Sequence, residues 1–220
     1  MPELVGFVDV GFLTAQGARS ISAEKNTLNP DAYGVVGWMK REAESRGHGL
    51  LRVYWYDGQF DTSHPSYADQ RRYFDGIASC PGIQLRLGHI LSKTPPWQHA
   101  LMKAVEACGI DPRVFQRHFT LRPLLEQKGV DTRIVLDLVR LAQRHAYDTA
   151  ILLAGDRDLA EAVRVAQDEG RRVIIAQLSG GGLATELRHL ADEVLPVAPT
   201  DVQSLLRPRS QLSLPLPDRE

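Results

Sequence analysis

Two aspartates stand two residues apart directly after an apolar run, in residues 151–163, ILLAGDRDLAEAV. Asp156 and Asp158 thus follow residues that are typical of a buried strand, and such strands rarely end in paired carboxylates. Asp9 ends another apolar run near the N-terminus, and Asp131 opens a helical stretch that leads to the run at 151. Ligand sites in open α/β sheets lie beyond the carboxyl ends of the strands, so we expect these side chains to meet at one rim.

Four carboxylates on one rim would repel each other strongly in a partly desolvated cleft. A hard divalent cation removes that repulsion, and Mg²⁺ and Mn²⁺ prefer oxygen ligands of this kind. The sequence therefore predicts a site for Mg²⁺ or Mn²⁺ in which Asp9, Asp131, Asp156 and Asp158 are both the ligands and the catalytic residues.

Most of these aspartates also have a structural explanation. Asp158 and Glu161 match a helix capping pattern, Asp131 could cap its own helix, and Asp9 could lie in a turn. A cap at Asp158 leaves Asp156 without such a role, so the prediction depends on the convergence of all four. Asp137 is a weaker candidate, because it lies about 120° around the helix from Asp131, where a solvated or hydrogen-bonded Asp is the better explanation. For Asp57, in an Asp-Gly pair, a turn is sufficient explanation.

The elements that must position these residues alternate along the chain. Apolar runs predict strands at residues 4–10, 50–58, 83–91, 149–155, 171–178 and 193–197. Helical patterns fall at 29–47, 64–82, 97–109, 131–146, 159–170 and 183–192, with Asn29 as N-cap and Pro30 in the first turn of the first of these. Such alternation, with strands rich in Val, Ile and Leu, is typical of an α/β fold whose mainly parallel sheet is covered on both faces.

Two segments interrupt this pattern. Residues 92–128 contain two adjacent prolines and a basic stretch, and we interpret them as an insertion in a single domain that spans 1–198. Residues 199–220 are rich in Pro, Ser and Leu and read as a C-terminal tail, either flexible or docked on a neighbour.

Composition limits the function classes. The net charge is −1, so binding to nucleic acid would need a local basic patch or metal ions. Two cysteines outside any CxxC pattern suit a reducing cytoplasm and argue against a cysteine zinc site.

No apolar run has the roughly 18–20 residues of a membrane span, and the N-terminus does not resemble a signal peptide. We expect a cytoplasmic protein without a membrane partner, and either a monomer or a homo-oligomer fits the sequence.

A basic stretch at 112–123 interleaves arginines with two phenylalanines and contains no acid. Arginine beside aromatic rings suits a phosphate backbone and stacked bases, although an ordinary basic surface over two core phenylalanines fits equally well. The predicted RNA-binding residues are Arg113, Arg117, Arg122, Arg157 and Lys128.

Several stretches together resemble the NYN domain, in its LabA-like branch, of the PIN-like nuclease superfamily. They are GFVDVGFL, QKGVDTRIVLDLVRLA, DTAILLAGDRDLAEAVRVAQDEGRRVII and LATELRHLADEVLPV, and the resemblance covers roughly residues 4–197. It implies a three-layer α/β/α fold and a metal-dependent ribonuclease whose acidic residues fall on Asp9, Asp131, Asp156 and Asp158, with Asp137 as a further acidic position. One departure is Phe12, where the family commonly has Asn.

The resulting prediction is an endoribonuclease that uses Mg²⁺ or Mn²⁺ to activate water, leaving a 5′-phosphate and a 3′-hydroxyl. Such a mechanism does not need the ribose 2′-hydroxyl, so single-stranded DNA stays open as a substrate. The alternative is a non-catalytic regulatory module that binds RNA or a partner protein through the same fold. Phe12 in place of Asn and the near-neutral charge favour this alternative slightly.

Overall fold

A computed structural model describes residues 1–24, 27–119 and 124–208. Its strands are β1 (Glu3–Asp9), β2 (Leu28–Pro30), β3 (Gly49–Phe60), β4 (Ile83–Lys93), β5 (Leu124–Lys128), β6 (Thr149–Leu153), β7 (Arg172–Leu178), β8 (Glu193–Val197) and β9 (Leu206–Pro208). Its helices are α1 (Val10–Ser20), α2 (Ala32–Ser45), α3 (Tyr67–Ala78), α4 (Pro96–Ala107), α5 (Pro112–His118), α6 (Val130–Gln143), α7 (Ala160–Asp168), α8 (Thr185–Leu190) and α9 (Pro199–Leu205). A short 3-10 turn, Arg157–Leu159, precedes α7.

The centre of the described chain is a seven-stranded sheet in the order β5-β4-β3-β1-β6-β7-β8. Neighbouring strands pair in parallel, except that β5 runs antiparallel to β4. Helices cover both faces, and the predicted three-layer α/β/α fold with a mainly parallel sheet is confirmed.

Two hydrophobic cores lie on the two faces of the sheet. On one face, side chains from α1, α2 and α9 pack on alternate strand residues, with Leu13, Trp38 and Trp55 among those fully buried. On the other face, α6, α7 and α8 cover the remaining strand residues. The stripe of α6 that faces this core comprises Ile134, Leu138 and Ala142, which are four residues apart as a helix requires.

The central strand β1 lies where the chain changes direction in the sheet. From β1 the chain moves to β3 and β4 on one side, and it later returns to β6 on the other side. Phe7 is level with Leu152 of β6, and Asp9 is level with Tyr56 of β3. The carboxyl ends of β1 and β6 therefore meet at the topological switch point, where open α/β sheets bind their ligands.

The segment predicted as an insertion adds α4, α5 and the edge strand β5. Helices α4 and α5 pack on each other and bury little else, since Val105 is the buried residue of α4 and α5 has none. β5 then returns the chain to the sheet, with Gln127 level with Ile90 of β4. The segment is thus an appendage whose last strand joins the domain.

Two predicted boundaries differ from the structure. Asn29 and Pro30 do not start a helix, because they belong to β2, which pairs with β9, and α2 begins at Ala32 after Asp31. Pro30 contributes to this short edge strand, where its missing N–H costs little. The α1 helix, directly after Asp9, was not predicted at all.

The first part of the predicted tail is folded. Residues 199–208 form α9 and β9, and they bury Val202, Leu205 and Leu206 against the core that α1 and α2 share. Arg207 adds an ion pair to Asp31 at 2.6 Å. Residues 209–220 lie outside the described part of the chain. Within the part described, no helix combines the length and apolar character that crossing a membrane requires.

Candidate functional site

A cavity of about 370 Å³ opens at the carboxyl ends of β1 and β6. Three predicted carboxylates line it, and each comes from a different element: Asp9 ends β1, Asp131 lies in the first turn of α6, and Asp156 follows β6. Two carboxamides, those of Gln16 and Gln127, line it as well. The rest of the lining is small or apolar: Gly11, Phe12, Val130, Gly155 and Gly182.

Asp9 sits where the chain leaves the sheet and is the N-cap of α1. Its Oδ1 accepts a hydrogen bond from the backbone N–H of Phe12 at 3.1 Å. Burial raises the pKa of Asp9 to about 6, and the negative charges of Asp131 and Asp156 add to the rise. The Phe12 N–H opposes this change, because it stabilises the ionised form. Asp9 is therefore held close to other acids at a point where its charge is poorly solvated.

Asp131 enters the cavity because Gly129 takes a left-handed conformation, with φ of 78°, just before α6. The position suits glycine, which adopts positive φ without the steric cost of a Cβ. Desolvation raises the pKa of Asp131, and the charges of Asp156 and Asp158 raise it further. Gly129, and not Asp131, is the N-cap of this helix.

Asp156 caps the 3-10 turn, since its Oδ1 accepts from the backbone N–H of Asp158 at 3.1 Å. The capping pattern expected of Asp158 and Glu161 is wrong, because α7 starts after Leu159 and no side chain caps it. Asp158 does not line the cavity, although its charge acts on the pKa of Asp131. Three of the predicted carboxylates thus share the cavity, and Asp158 lies beside it.

These carboxylates are neighbours but not a preassembled cage. Within the described residues, no group of three His, Cys, Asp or Glu side chains is placed to hold a metal ion together. The donor set is nonetheless of one kind, because every polar side chain that lines the cavity offers carboxylate or carboxamide oxygen. Oxygen donors of this kind fit Mg²⁺ or Mn²⁺ better than softer metals.

Asp57 is a further acid close to Asp9, and the prediction of a turn at this position is wrong. The Asp57-Gly58 pair does not close the strand in a turn, because β3 continues to Phe60. Burial raises the pKa of Asp57 to about 7, the charge of Asp9 adds to it, and the Gly58 N–H, at 2.7 Å, opposes it. The missed signal is register: β1 ends at Asp9, level with Tyr56, so Asp57 lies one residue beyond the end of β1 and close to Asp9.

Asp137 has a structural place away from the cavity. It accepts a hydrogen bond from the hydroxyl of Tyr56 at 3.0 Å, and the guanidinium of Arg86 donates to it at 2.8 Å. Arg86 also lies over the ring of Tyr54. These contacts tie α6 to β3 and β4, so Asp137 joins the helix to the sheet.

The predicted RNA-binding cations occupy two regions. Arg113 and Arg117 are exposed on one face of α5, and Phe115, on the opposite face, stacks on Phe119 with ring centroids 4.5 Å apart. Arg157 pairs with Glu186 at 3.2 Å, and Lys128 pairs with Glu126. Arg122 lies outside the described residues. Two exposed arginines and one exposed aromatic ring, that of Phe119, thus belong to the appendage.

Comparison with known proteins identifies the family. The family model described as the NYN domain matches residues 40–198, most of the chain, and the chain belongs to that family. The matched range includes Asp57, Asp131 and Asp156 and begins after Asp9. The assignment to the LabA-like branch stays a prediction.

One relative and one solved structure are also similar to this chain. A relative named "Uncharacterized protein y4oD", from Sinorhizobium fredii, is 37% identical over 87 residues, which are 39% of this chain and 41% of the relative. This chain thus spans about two fifths of that relative's length. A crystal structure of VPA0982 from Vibrio parahaemolyticus, a protein of unknown function, covers 94% of this chain and 96% of its own, with a TM-score of 0.54 and 15% identity. That likeness shows the fold alone.

Proposed function

We propose that this protein is a metal-dependent endoribonuclease that hydrolyses phosphodiesters at the cavity between β1 and β6. The observation that carries the proposal is the meeting of Asp9, Asp131 and Asp156 in one cavity from three elements far apart in the sequence. The NYN domain belongs to a nuclease-like superfamily, which supports hydrolysis of RNA over other reactions. Single-stranded DNA has the same phosphodiester chemistry and stays open as a substrate.

The acidic set fits a divalent cation, and Asp9, Asp131 and Asp156 are the residues that would hold it. A bound Mg²⁺ or Mn²⁺ would activate water and neutralise charge on the scissile phosphate. The raised pKa of Asp9 supports this assignment, because burial and like charges disfavour its ionised form and a cation would restore it. Asp158 would strengthen the negative potential from just outside the cavity.

Two other side chains shape the reaction space. Asp57 lies beside Asp9 and, with a pKa of about 7, can hold or release a proton at neutral pH. Phe12 lies against Gly155, where a Cβ would collide with its ring, and it makes one wall of the cavity apolar. Hydrolysis by attacking water would leave a 5′-phosphate and a 3′-hydroxyl.

The second candidate is a regulatory module that binds RNA or a partner protein without cleaving it. One observation favours it: among the described residues, no three ligating side chains are already gathered around a metal position. Phe12, in place of the family's Asn, is a second argument for this candidate, since it removes a polar group from the cavity wall.

Asp156→Asn tests the proposal. Asn keeps the shape and caps a turn as well as Asp does, so the local fold should hold while one ligand charge is lost. We expect Mn²⁺-dependent cleavage of a labelled RNA to fall by at least about a hundredfold, on the scale of a lost catalytic electrostatic contact. Added Mn²⁺ should raise the melting temperature of the wild type more than that of the variant.

The matched control is Asp168→Asn, on the exposed C-terminal turn of α7. It removes one charge outside the cavity and should leave both cleavage and Mn²⁺ stabilisation unchanged. If the wild type binds RNA but does not cleave it in Mn²⁺ or Mg²⁺, the regulatory module becomes the better description. Equal cleavage by Asp156→Asn and the wild type would remove Asp156 from the mechanism.

A further inference from the structure

One polar side chain that lines the cavity makes no hydrogen bond to any other described residue. Gln127 belongs to the edge strand β5, at the end of the appendage, yet its side chain lines the cavity with the aspartates. Its carboxamide makes no hydrogen bond within the described residues, whereas the other lining carboxamide, that of Gln16, accepts from the Gly182 N–H at 3.2 Å. Gln127 is exposed and is therefore the lining amide that is not anchored to the protein and can turn toward a ligand.

Glycines in two other elements make room for this side chain. A Cβ at Gly58 in β3 would come within 3.0 Å of the Gln127 Cγ. A Cβ at Gly11 in α1 would lie 3.2 Å from the Asp9 Oδ1 and 3.3 Å from the Gln127 Oε1. The Gln127 carboxamide and the Asp9 carboxylate thus border the same small space, close enough for one ligand to touch both.

The chemistry of the lining gives this amide a distinct task. An anionic phosphodiester needs hydrogen-bond donors as well as any cation, and carboxylates can only accept. The lining contains no Lys, Arg, His, Ser or Thr, so the two glutamines are its side-chain donors. The Gln16 carboxamide is anchored, because its oxygen accepts from the Gly182 N–H and from Arg19, whereas the Gln127 carboxamide is unanchored and borders the space beside Asp9.

We infer that Gln127 is a substrate-positioning residue that donates a hydrogen bond to a non-bridging oxygen of the phosphodiester to be cleaved. This inference rests on the proposed nuclease function and names a residue of that same site. It gives the appendage a part in the active site, because its last strand carries Gln127 over Gly58 to the acids of β1 and α6.

Gln127→Ala and Gln127→Glu test the inference in the full-length protein with Mn²⁺. Alanine removes the donor, and Glu keeps the shape but replaces the N–H groups with a negative charge. A hydrogen bond to a charged group is worth a factor of roughly 10 to 150, so kcat/KM for a labelled RNA should fall by about that factor in Gln127→Ala and further in Gln127→Glu. Gln143→Ala is the control. Gln143 is an exposed glutamine at the other end of α6, about 18 Å along the helix from Asp131.

A second readout separates contact with the phosphate from a merely structural role. One non-bridging oxygen at the mapped cleavage site is replaced by sulfur, a weaker hydrogen-bond acceptor, with each diastereomer assayed separately. For one diastereomer, sulfur should lower the activity of the wild type and of Gln143→Ala more than that of Gln127→Ala. The Gln127→Ala variant has already lost the hydrogen bond that sulfur would weaken. Melting temperatures of all variants should agree within a few degrees.

Three results would overturn the inference. Equal kcat/KM for Gln127→Ala and the wild type would leave the nuclease proposal standing without Gln127. A loss in Gln127→Ala with an unchanged effect of sulfur would assign Gln127 a structural role. A wild type that cleaves no RNA in Mn²⁺ would overturn the proposed function, and the role of Gln127 with it.

Discussion

At the scale of single residues, the cavity concentrates charge that the fold does not neutralise. Asp9 and Asp57 are poorly solvated neighbours, and burial raises the pKa of each above its ordinary value. Both acids hold their protons more tightly in the folded protein than in the unfolded chain. The free protein therefore carries an electrostatic cost at neutral pH that a bound cation or bound protons would relieve.

This cost predicts a pH dependence of the metal-free protein. The stability that these acids contribute is fully present below the unfolded pKa of about 4 and is lost as pH rises through their folded pKa values of about 6 and 7. In EDTA, Asp57→Asn should raise the free energy of unfolding at pH 8 by on the order of 1–3 kcal/mol and by much less at pH 5. Urea denaturation at the two pH values measures this difference.

Asp168→Asn again serves as the control, since it removes one exposed carboxylate outside the cavity. An Asp57→Asn variant that is less stable than the wild type at pH 8 would contradict the argument. Such a result would mean that the hydrogen bond from Gly58 outweighs the cost of burying the charge.

The sequence revealed only some of the residues at this site. Asp9, Asp131 and Asp156 were predictable because strand ends in a parallel sheet share one edge. Asp57 needed the register between β1 and β3, and Gln127 needed the course of an antiparallel edge strand. Pairing between distant strands is set by tertiary packing, which local patterns do not encode.

At the scale of elements, the appendage places cations outside the cavity. Arg113 and Arg117 are four residues apart on α5 and share one exposed face, whereas Phe115, two residues from each, lies on the opposite side of the helix and stacks on Phe119. Two neighbouring exposed arginines suit the phosphates of single-stranded RNA, and the exposed ring of Phe119 offers a surface on which a base can stack. RNA binding at α5 stays a prediction.

Replacing both arginines with glutamate tests that prediction. Each lost phosphate contact should reduce the slope of log affinity against log salt by about 0.7 for single-stranded RNA, so the slope should fall by about 1.4. Fluorescence anisotropy in Ca²⁺ or EDTA, without cleavage, measures it. Arg140, in the last turn of α6, and Arg144, which caps the end of that helix, are both exposed and give a matched double reversal. Equal slopes for both double variants would assign α5 to ordinary surface.

Element boundaries show where local sequence signals were outweighed. Asn29 and Pro30 form a good helix start, yet they lie in β2 because β9 pairs with them and Arg207 binds the Asp31 that precedes α2. The capping pattern at Asp158 likewise yielded to a 3-10 turn capped by Asp156. A strand distant in sequence set the first boundary, and an extra turn of backbone set the second.

At the scale of the whole molecule, the alternation of apolar and amphipathic stretches was enough to predict the layers. It could not predict that residues 199–208 belong to the folded body, because their composition resembles a linker. α9 nevertheless buries Val202 and Leu205 completely against the core that α1 and α2 share. Only the packed structure shows that this helix completes one of the two cores.

Leu205→Ala should therefore behave as a core substitution. We expect the free energy of unfolding to fall by about 2–5 kcal/mol, the usual cost of removing a buried leucine side chain. Gln203→Ala, on the exposed face of the same helix, should change it by less than about 0.5 kcal/mol. Urea titrations at one pH compare the two, and a loosely attached α9 would show equally small effects for both.

The central position of β1 has a consequence for the timing of synthesis. β1 can pair with β3 once residue 60 has left the ribosome, but its other neighbour, β6, ends at residue 153. At about 5–20 residues per second, one edge of the innermost strand waits roughly 5–20 s for its partner. Asp156 and the loop that contains Gly182 are synthesised later still. A nascent chain therefore cannot assemble the cavity until most of the chain has been made.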